Sequence, residues 1–297
     1  MLAISLREAL EEWGIHLRAM RRSQQTVKSY TDGVRFFLDW CEEAGIEPDL
    51  VPAVVNRFMV ALEERGNKGS TLVSRQLAIR RFSAWLAQEG IIEADRLAGM
   101  KRPGLEVPVM EPLTDEELRA LVKACAGTTM RDRRDEAIVR LLAETGLRAG
   151  ECIGLELPDV DLQRGTVVVR KGKGGKGRVV GIGPQTSQSI ARYLRTRKGH
   201  RLEGHAALWL GERGRAFTYD AMHKALRDRA TRAGIDRFHP HLLRNTFAHR
   251  WLSASGSQAG LMAAAGWSRP DMLVRYTAFH QQARAVDEAR RLNLGDV

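Results

Sequence analysis

The sequence predicts a mainly α-helical protein with a small β component, organised as two domains. Apolar residues recur every three or four positions along most of the chain, which is typical of amphipathic helices. Two short valine-rich stretches, 166–170 and 178–182, break that period and predict the strands of a hairpin. With 297 residues, the chain can bury two cores. We therefore expect one all-helical domain and one mixed α/β domain.

Four amphipathic patterns make up the predicted first domain, residues 1–99. They are centred on Leu10, on the run from Val27 to Cys41, on Phe58 and on Phe82. Ser23 precedes the second pattern as an N-cap, and a glycine follows each of the last three at positions 45, 66 and 90. Four helices separated by short turns are expected.

A linker and a second domain follow. Residues 100–112 hold three prolines and little periodicity, which predicts an extended connection. The second domain, 113–297, opens with the capping-box residues Thr114 and Glu117. Further helical patterns lead to the motif TGLRAGE, then to the hairpin, and continue from Gln185 onward. The final stretch, 282–294, predicts a C-terminal helix.

The charge of the chain is concentrated in its second part. The net charge is +11, yet residues 1–110 contain 15 basic and 15 acidic side chains, so the excess lies beyond them. This predicts a polyanionic partner, either nucleic acid or an acidic membrane. A membrane fits less well, because the basic residues occupy a hairpin and helices without a lipid-facing stripe.

The cysteines and the N-terminus indicate a cytoplasmic protein. Cys41, Cys125 and Cys152 are widely separated and form no C-x-x-C pair, so neither a disulfide framework nor a zinc site is predicted. The first helical pattern carries acidic residues and lacks the apolar run of a signal peptide.

The glycine-rich hairpin tip KGKGGKG, residues 171–177, suits a phosphate backbone. Its G-x-G-x-x-G spacing does not predict a dinucleotide fold, since strands flank it on both sides. A Walker A motif fails because Arg178 follows Gly177. Lys171, Lys173 and Lys176 could approach phosphates closely at such a tip, while a solvated turn is the alternative.

Three other motifs carry residues suited to chemistry on an anion. TGLRAGE places Arg148 three residues before Glu151, which could orient it or form an ordinary surface pair. HPHLLRNTF begins a helix near position 240 with His241 and Arg244 as neighbours on it, Arg244 bordering the apolar stripe. Each motif alone is weak.

The third, WSRPDMLVRYTAFH, predicts a helix capped by Ser268. Met272, Leu273, Tyr276 and Phe279 share one face of it, and by itself this spacing favours a buried Tyr276.

Together these motifs resemble the tyrosine recombinases, the phage integrase family. The resemblance covers nearly the whole chain and is to simple Xer-type and Cre-type members. It implies an N-terminal four-helix core-binding (SAM-like) domain and a mixed α/β tyrosine-recombinase catalytic domain. The matching positions, in order, are Arg148, Glu151, Lys173, His241, Arg244, Trp267 and Tyr276.

The resemblance implies a site-specific recombinase that cuts and rejoins DNA through a 3′-phosphotyrosyl intermediate during integration, excision or resolution of DNA elements. Tyr276 is then the nucleophile and Lys173 the general acid. Two clamping arginines, two further donors and an orienting carboxylate complete the expected site, with no ATP, metal ion or other cofactor. The arginines are Arg148 and Arg244, the further donors are His241 and Trp267, and the orienting carboxylate is that of Glu151.

The expected partners are double-stranded DNA, at short inverted-repeat core sites, and three further copies of the chain in a homotetramer on two sites. Localisation at the nucleoid of a bacterial or phage-infected cell is expected. The C-terminal helix docks on a neighbouring protomer through Leu292 and Leu294, or packs within its own chain. Backbone contacts are expected from Lys171, Lys176 and Arg178, and from Arg18, Arg21, Arg22, Lys28, Arg75, Arg80 and Arg81.

Two features depart from common patterns of the family. Trp267 stands where many relatives carry histidine and matches the Cre-type variant. The core-binding helices begin almost at Met1, so no arm-binding domain is expected. Two alternatives stay open: a type IB topoisomerase, which shares the phosphotyrosyl chemistry, and a DNA-binding regulator that has lost catalysis.

Overall fold

Four helices form the first compact unit, as the spacing of apolar residues predicts. The computed structural model describes residues 4–104, 110–170, 177–214, 216–270, 273, 281–293 and 295. The chain divides into two units, residues 1–108 and 109–297. The helices of the first unit are α1 (Leu6–Ala19), α2 (Gln24–Glu43), α3 (Pro52–Glu64) and α4 (Gly69–Gln88).

The core of this unit is aromatic. Trp13, Phe37, Phe58 and Phe82 are all buried, and the rings of Trp13 and Phe82 lie 5.2 Å apart. Helices α2 and α4 approach closely at Gly33, where an added Cβ would lie 2.4 Å from the Cβ of Ala78. A larger residue there would force the helices apart.

Two of the expected caps, at Ser23 and Thr114, are present. Ser23 accepts a hydrogen bond from the backbone N–H of Thr26 at the start of α2. At the start of the helix Asp115–Ala124, Thr114 and Glu117 form the predicted reciprocal capping box. These side chains satisfy amides that lack partners within the helix.

The second unit is mixed α/β, as predicted. Before its sheet lie α5 (Asp115–Ala124), α6 (Met130–Thr145), α7 (Ala149–Ile153) and a 3₁₀ turn (Leu157–Asp159). After the sheet come α8 (Pro184–Arg197), a 3₁₀ turn (Glu212–Gly214), α9 (Tyr219–Arg232), α10 (Pro240–Ser253), α11 (Gln258–Ala265) and α12 (Gln281–Leu292). None of the helices within the described ranges is long and apolar enough to cross a membrane.

The predicted hairpin is part of a three-stranded antiparallel sheet. Its strands are β2 (Thr166–Val169) and β3 (Arg178–Gly181), and β1 (Val160–Asp161) pairs with β2. The sequence did not predict β1, because two residues carry no alternating pattern. Val169 is paired with Arg178, so Arg178 stands where β3 leaves the hairpin tip.

The helix expected after Ser268 lies largely outside the described residues. Of its four apolar positions only Leu273 is described, and it is buried with Trp267 and Phe247 in a small cluster. Tyr276 lies outside the described residues. In α12, Leu292 is exposed, while Leu294, the other expected anchor, is not described.

A buried ion network joins α6 to α9. The carboxylate of Asp135 is fully buried and accepts hydrogen bonds from Arg134 (Nη2, 2.8 Å) and Arg229 (Nε, 3.0 Å). Arg229 also reaches Asp132 at 2.7 Å, and the guanidinium of Arg134 lies over the ring of Phe217. Each buried charge is therefore compensated, which burial requires.

We predict that Asp135→Asn lowers the free energy of unfolding by about 3 kcal/mol, because it removes the carboxylate that pairs with the buried Arg134 and leaves Arg229 with Asp132 alone. Asp228→Asn is the matched control. Asp228 is 42% exposed and lies 3.5 Å from Arg131, so its loss should change the stability by less than about 1 kcal/mol. Urea denaturation of both variants measures the difference, and equal losses would contradict the prediction.

Candidate active site

Arg148 is placed by the turn between α6 and α7. Helix α6 ends at Gly146, which adopts φ 60°, a conformation that favours glycine. The ring of Phe247 from α10 covers this turn so closely that a Cβ on Gly146 would lie 2.2 Å from it. The turn thus brings α10 against the segment that carries Arg148.

Glu151 holds Arg148 by two hydrogen bonds. The backbone N–H of Arg148 donates to Oε2 of Glu151 (2.9 Å), and its Nη1 donates to Oε1 (2.8 Å). The Glu151 side chain is only 6% exposed, while that of Arg148 is 29% exposed. The pair is therefore not an ordinary surface ion pair, and its accessible member is the arginine.

Arg178 binds the same carboxylate from the sheet. Its Nη1 and Nη2 donate to Oε1 and Oε2 of Glu151 at 3.1 and 2.7 Å. Burial alone would raise the pKa of Glu151, but hydrogen bonds from Arg178 and Arg148 outweigh burial and lower the pKa to about 2. Glu151 is therefore charged at any physiological pH.

This environment differs from the contact with the DNA backbone that is expected of Arg178. The Arg178 side chain is only 11% exposed. Its Nε donates to the backbone carbonyl of Ala264 (2.8 Å), so all three guanidinium nitrogens have partners within the protein.

Arg244 is buried rather than bordering the apolar stripe of α10. It is 2% exposed, and its guanidinium donates to the carbonyls of Gly146 and Ala265, the latter at 2.7 Å. These carbonyls lie at the C-terminal ends of α6 and α11, where the helix dipole favours a positive charge. The Trp267 ring lies 5.2 Å from the guanidinium carbon of Arg244.

The C-terminal turn of α11 connects the three arginines. Ala264, Ala265 and Gly266 offer successive carbonyls, which accept from Arg178, Arg244 and Arg148 respectively. The Arg148 contact is the longest, at 3.4 Å. We call this segment, residues 264–266, the carbonyl turn. Sequence reasoning missed it, because backbone acceptors leave no side-chain signal.

The other expected catalytic groups divide between described and undescribed residues. His241 lies exposed in the first turn of α10, stacked on His239 with the ring centres 6.4 Å apart. Burial and, secondarily, His223 lower the pKa of His239. Lys171, Lys173, Lys176 and Tyr276 lie outside the described residues.

In the first unit, Lys28 and Arg75 line one polar groove between α2 and α4. Arg75 lies 4.0 Å above the ring of Phe36, and burial lowers its pKa against the opposing effect of Asp32. The remaining predicted DNA contacts of this unit, Arg18, Arg21, Arg22, Arg80 and Arg81, are exposed except for the half-buried Arg80.

Sequence comparisons identify similar proteins along almost the entire chain. The family model of the phage integrase family matches residues 111–283, and that of the phage integrase N-terminal SAM-like domain matches residues 10–90. Tyrosine recombinase XerC of Chromobacterium violaceum is 31% identical over 95% of this chain and 94% of its own. Tyrosine recombinase XerD of Bifidobacterium longum is 29% identical over 80% and 82%.

Solved structures show the same fold. XerH site-specific recombinase, bound to its palindromic difH substrate in a post-cleavage complex, gives a TM-score of 0.75 at 18% identity, over 94% of this chain and 83% of that one. XerA recombinase gives 0.56 at 25% identity, over 97% and 99%. The predicted fold class is thereby confirmed.

We predict that Glu151→Gln destabilises the protein more at neutral pH than in acid. The folded-state pKa of about 2 lies below the ordinary value of 4.5, so the charged carboxylate stabilises the fold above that ordinary value and loses its effect as the pH falls toward 2. The expected loss at pH 7 is about 2 kcal/mol, the scale of hydrogen bonds to a charged group.

Denaturant unfolding between pH 3 and pH 7 measures this effect, with the exposed Glu64→Gln as control. The prediction would be contradicted if the difference in free energy of unfolding between Glu151→Gln and the unmodified protein stayed constant over this range.

Proposed function

Because the chain belongs to the phage integrase family of tyrosine recombinases, we propose that Tyr276 and the arginine cluster around the carbonyl turn cut and rejoin DNA through a 3′-phosphotyrosyl intermediate. The protein is a site-specific DNA recombinase, and its partner is double-stranded DNA. The observation that carries the proposed chemistry is the convergence of Arg148, Arg244 and Trp267 from three distant parts of the sequence.

The arginines supply what the reaction demands. Attack on a phosphodiester builds negative charge on the non-bridging oxygens, so rigid cationic donors lower the barrier. Arg148 is accessible and still has donors beyond its bond to Glu151, which suits direct contact with a phosphate. Arg244 is held from behind by two carbonyls, which fixes the plane of its guanidinium.

The covalent step exchanges one ester for another. The phenol oxygen of Tyr276 bonds to phosphorus, the bond from phosphorus to O5′ breaks, and Lys173 gives a proton to O5′. A 5′-hydroxyl from the partner strand later attacks the phosphotyrosine and passes its proton back to Lys173, while the bond from phosphorus to the tyrosine oxygen breaks and the phenolate takes back the proton that Tyr276 gave up in the first step. The ester bond is conserved throughout, so the exchange needs no ATP, and the proposed roles assign no step to a metal ion.

Tyr276 must be activated for this attack. A free phenol has a pKa of about 10, so the positive field of the arginines, or His241 as a base, would favour its deprotonation. His241 is suited to either role, since it is exposed on the same helix as Arg244. Trp267 would donate its indole N–H to a phosphate oxygen.

We assign DNA binding to both units. Residues 1–99 would form the core-binding domain, residues 100–112 the linker and residues 113–297 the catalytic domain. Lys28 and Arg75 in the α2–α4 groove, together with Arg21, Arg22, Arg80 and Arg81, would contact the backbone, as would Lys171 and Lys176. Non-specific affinity from such contacts falls with salt.

The proposed assembly is a homotetramer on two short inverted-repeat sites. The exposed Leu292 of α12 suits a contact with a neighbouring copy. The DNA substrate places the protein in the cytoplasm at the nucleoid.

The decisive experiment traps the intermediate. The protein is incubated with fragmented DNA from its source and resident elements, denatured, and the protein-linked fragments are sequenced. We predict adducts at a short inverted-repeat site with the unmodified protein and complete loss with Tyr276→Phe. Tyr219→Phe, which removes the hydroxyl of a tyrosine 49% exposed on α9, is the matched control and should keep full adduct formation.

Adducts that persist in Tyr276→Phe would assign the nucleophile to another residue. Tight DNA binding without adducts in either protein would instead support a catalytically idle regulator. A supercoiled plasmid bearing two copies of the mapped site then separates the enzyme classes, because a recombinase yields products that join two sites and a topoisomerase yields relaxed circles alone.

A further inference from the structure

We infer that Arg178 is a positioning residue for Arg148, acting through Glu151, rather than a contact to DNA. This inference rests on the proposed role of Arg148 at the scissile phosphate. Similarity to the recombinases does not by itself assign Arg178 a role.

The hydrogen bonds divide the Glu151 carboxylate evenly. Each oxygen receives one N–H from Arg148 and one from Arg178: Oε1 accepts from the two Nη1 atoms, and Oε2 from the backbone of Arg148 and Nη2 of Arg178. A carboxylate held by two donors on each oxygen has little freedom to rotate. Arg148 is therefore bound to an acceptor that Arg178 has already oriented.

The charges of the three side chains also favour a positioning role for Arg178. Glu151 alone would neutralise one guanidinium, but here it is shared by two, so the three side chains keep a net charge of +1. The exposed fraction rises from 6% at Glu151 and 11% at Arg178 to 29% at Arg148. The accessible positive charge is thus presented at Arg148. Without Arg178, the Glu151 carboxylate would pair with Arg148 alone and would neutralise the positive charge with which Arg148 is proposed to bind the phosphate.

Arg178 also ties this pair to the turn that holds Arg244. Its Nε donates to Ala264, one residue before the carbonyl that accepts from Arg244. Gly266 gives room for this contact, because an added Cβ would lie 3.0 Å from Nη1 of Arg178. Lysine lacks the planar guanidinium group that donates hydrogen bonds to Glu151 and to the carbonyl of Ala264 at the same time.

The test compares Arg178→Met, Arg178→Lys and the control Arg164→Met with the unmodified protein. Arg164 precedes the same hairpin and is 84% exposed. Single-turnover formation of the covalent adduct is measured at saturating protein on a nicked duplex carrying the mapped site. We expect Arg178→Met to slow adduct formation by up to about 100-fold, the scale of a misplaced catalytic group, and Arg164→Met to leave it unchanged.

Two further readouts separate positioning from a general loss of structure. DNA affinity and its dependence on salt should be unchanged in Arg178→Met, whereas loss of a phosphate contact would reduce the salt slope by about one. On a substrate with a neutral methylphosphonate at the scissile position, the defect should shrink, because Arg148 then has less charge to stabilise. A defect of unchanged size on that substrate would overturn the inference.

Arg178→Lys keeps the charge and serves if Arg178→Met does not fold. It should bind DNA normally and cleave more slowly, and the double variant with Glu151→Gln should be no slower than Glu151→Gln alone. The inference would be overturned if Arg178→Lys cleaved DNA at the rate of the unmodified protein. It would also be overturned if the rate losses of the two single variants multiplied in the double variant, or if the salt dependence of DNA binding became weaker. Absence of adducts in the unmodified protein would instead refute the proposed function itself.

Discussion

The second unit is organised around one electrostatic constraint: the guanidinium groups of Arg148, Arg178 and Arg244 converge on one short turn, and their charges must be compensated within the protein. Like charges at this separation repel, and burial removes the water that would screen them. Glu151 compensates part of the charge, and the carbonyl turn compensates the rest with dipoles instead of further carboxylates. Three guanidinium groups and Glu151 carry a net charge of +2, which a second carboxylate would reduce to +1, whereas carbonyl dipoles leave it unchanged.

The secondary structure brings the three arginines together. Arg148 is the N-cap of α7, Arg178 begins β3 and Arg244 lies in α10, so residues nearly a hundred positions apart meet at the end of α11. Phe247, one helical turn after Arg244, packs over Gly146 and fixes α10 against the end of α6. Apolar packing therefore determines the position of Arg244, and its two carbonyl partners determine the orientation of its guanidinium.

The sequence could predict interactions between residues that are close along the chain, but not those between residues that are far apart in it. The helices around Phe37 and Phe82, the Thr114 cap and the valine-rich hairpin follow from periodicity and turn residues close in sequence. The pair of Arg148 and Glu151 also lies within one helical turn. The partners of Arg178 and the burial of Arg244 could not be predicted, because they involve residues 27, 86 and 98 positions away, and most of these partners are backbone carbonyls. β1 is too short to have a pattern.

The carbonyl turn also determines which changes the chain can tolerate over evolutionary time. Every amino acid has a carbonyl oxygen, so the exposed side chains of α11 can diverge while the arginines keep their acceptors. The length of α11 has no such freedom. Inserting or deleting one residue would rotate the terminal carbonyls by about 100° about the helix axis and direct them away from Arg178, Arg244 and Arg148. Between distant relatives, we therefore expect substitutions in this helix to accumulate and gaps to be absent.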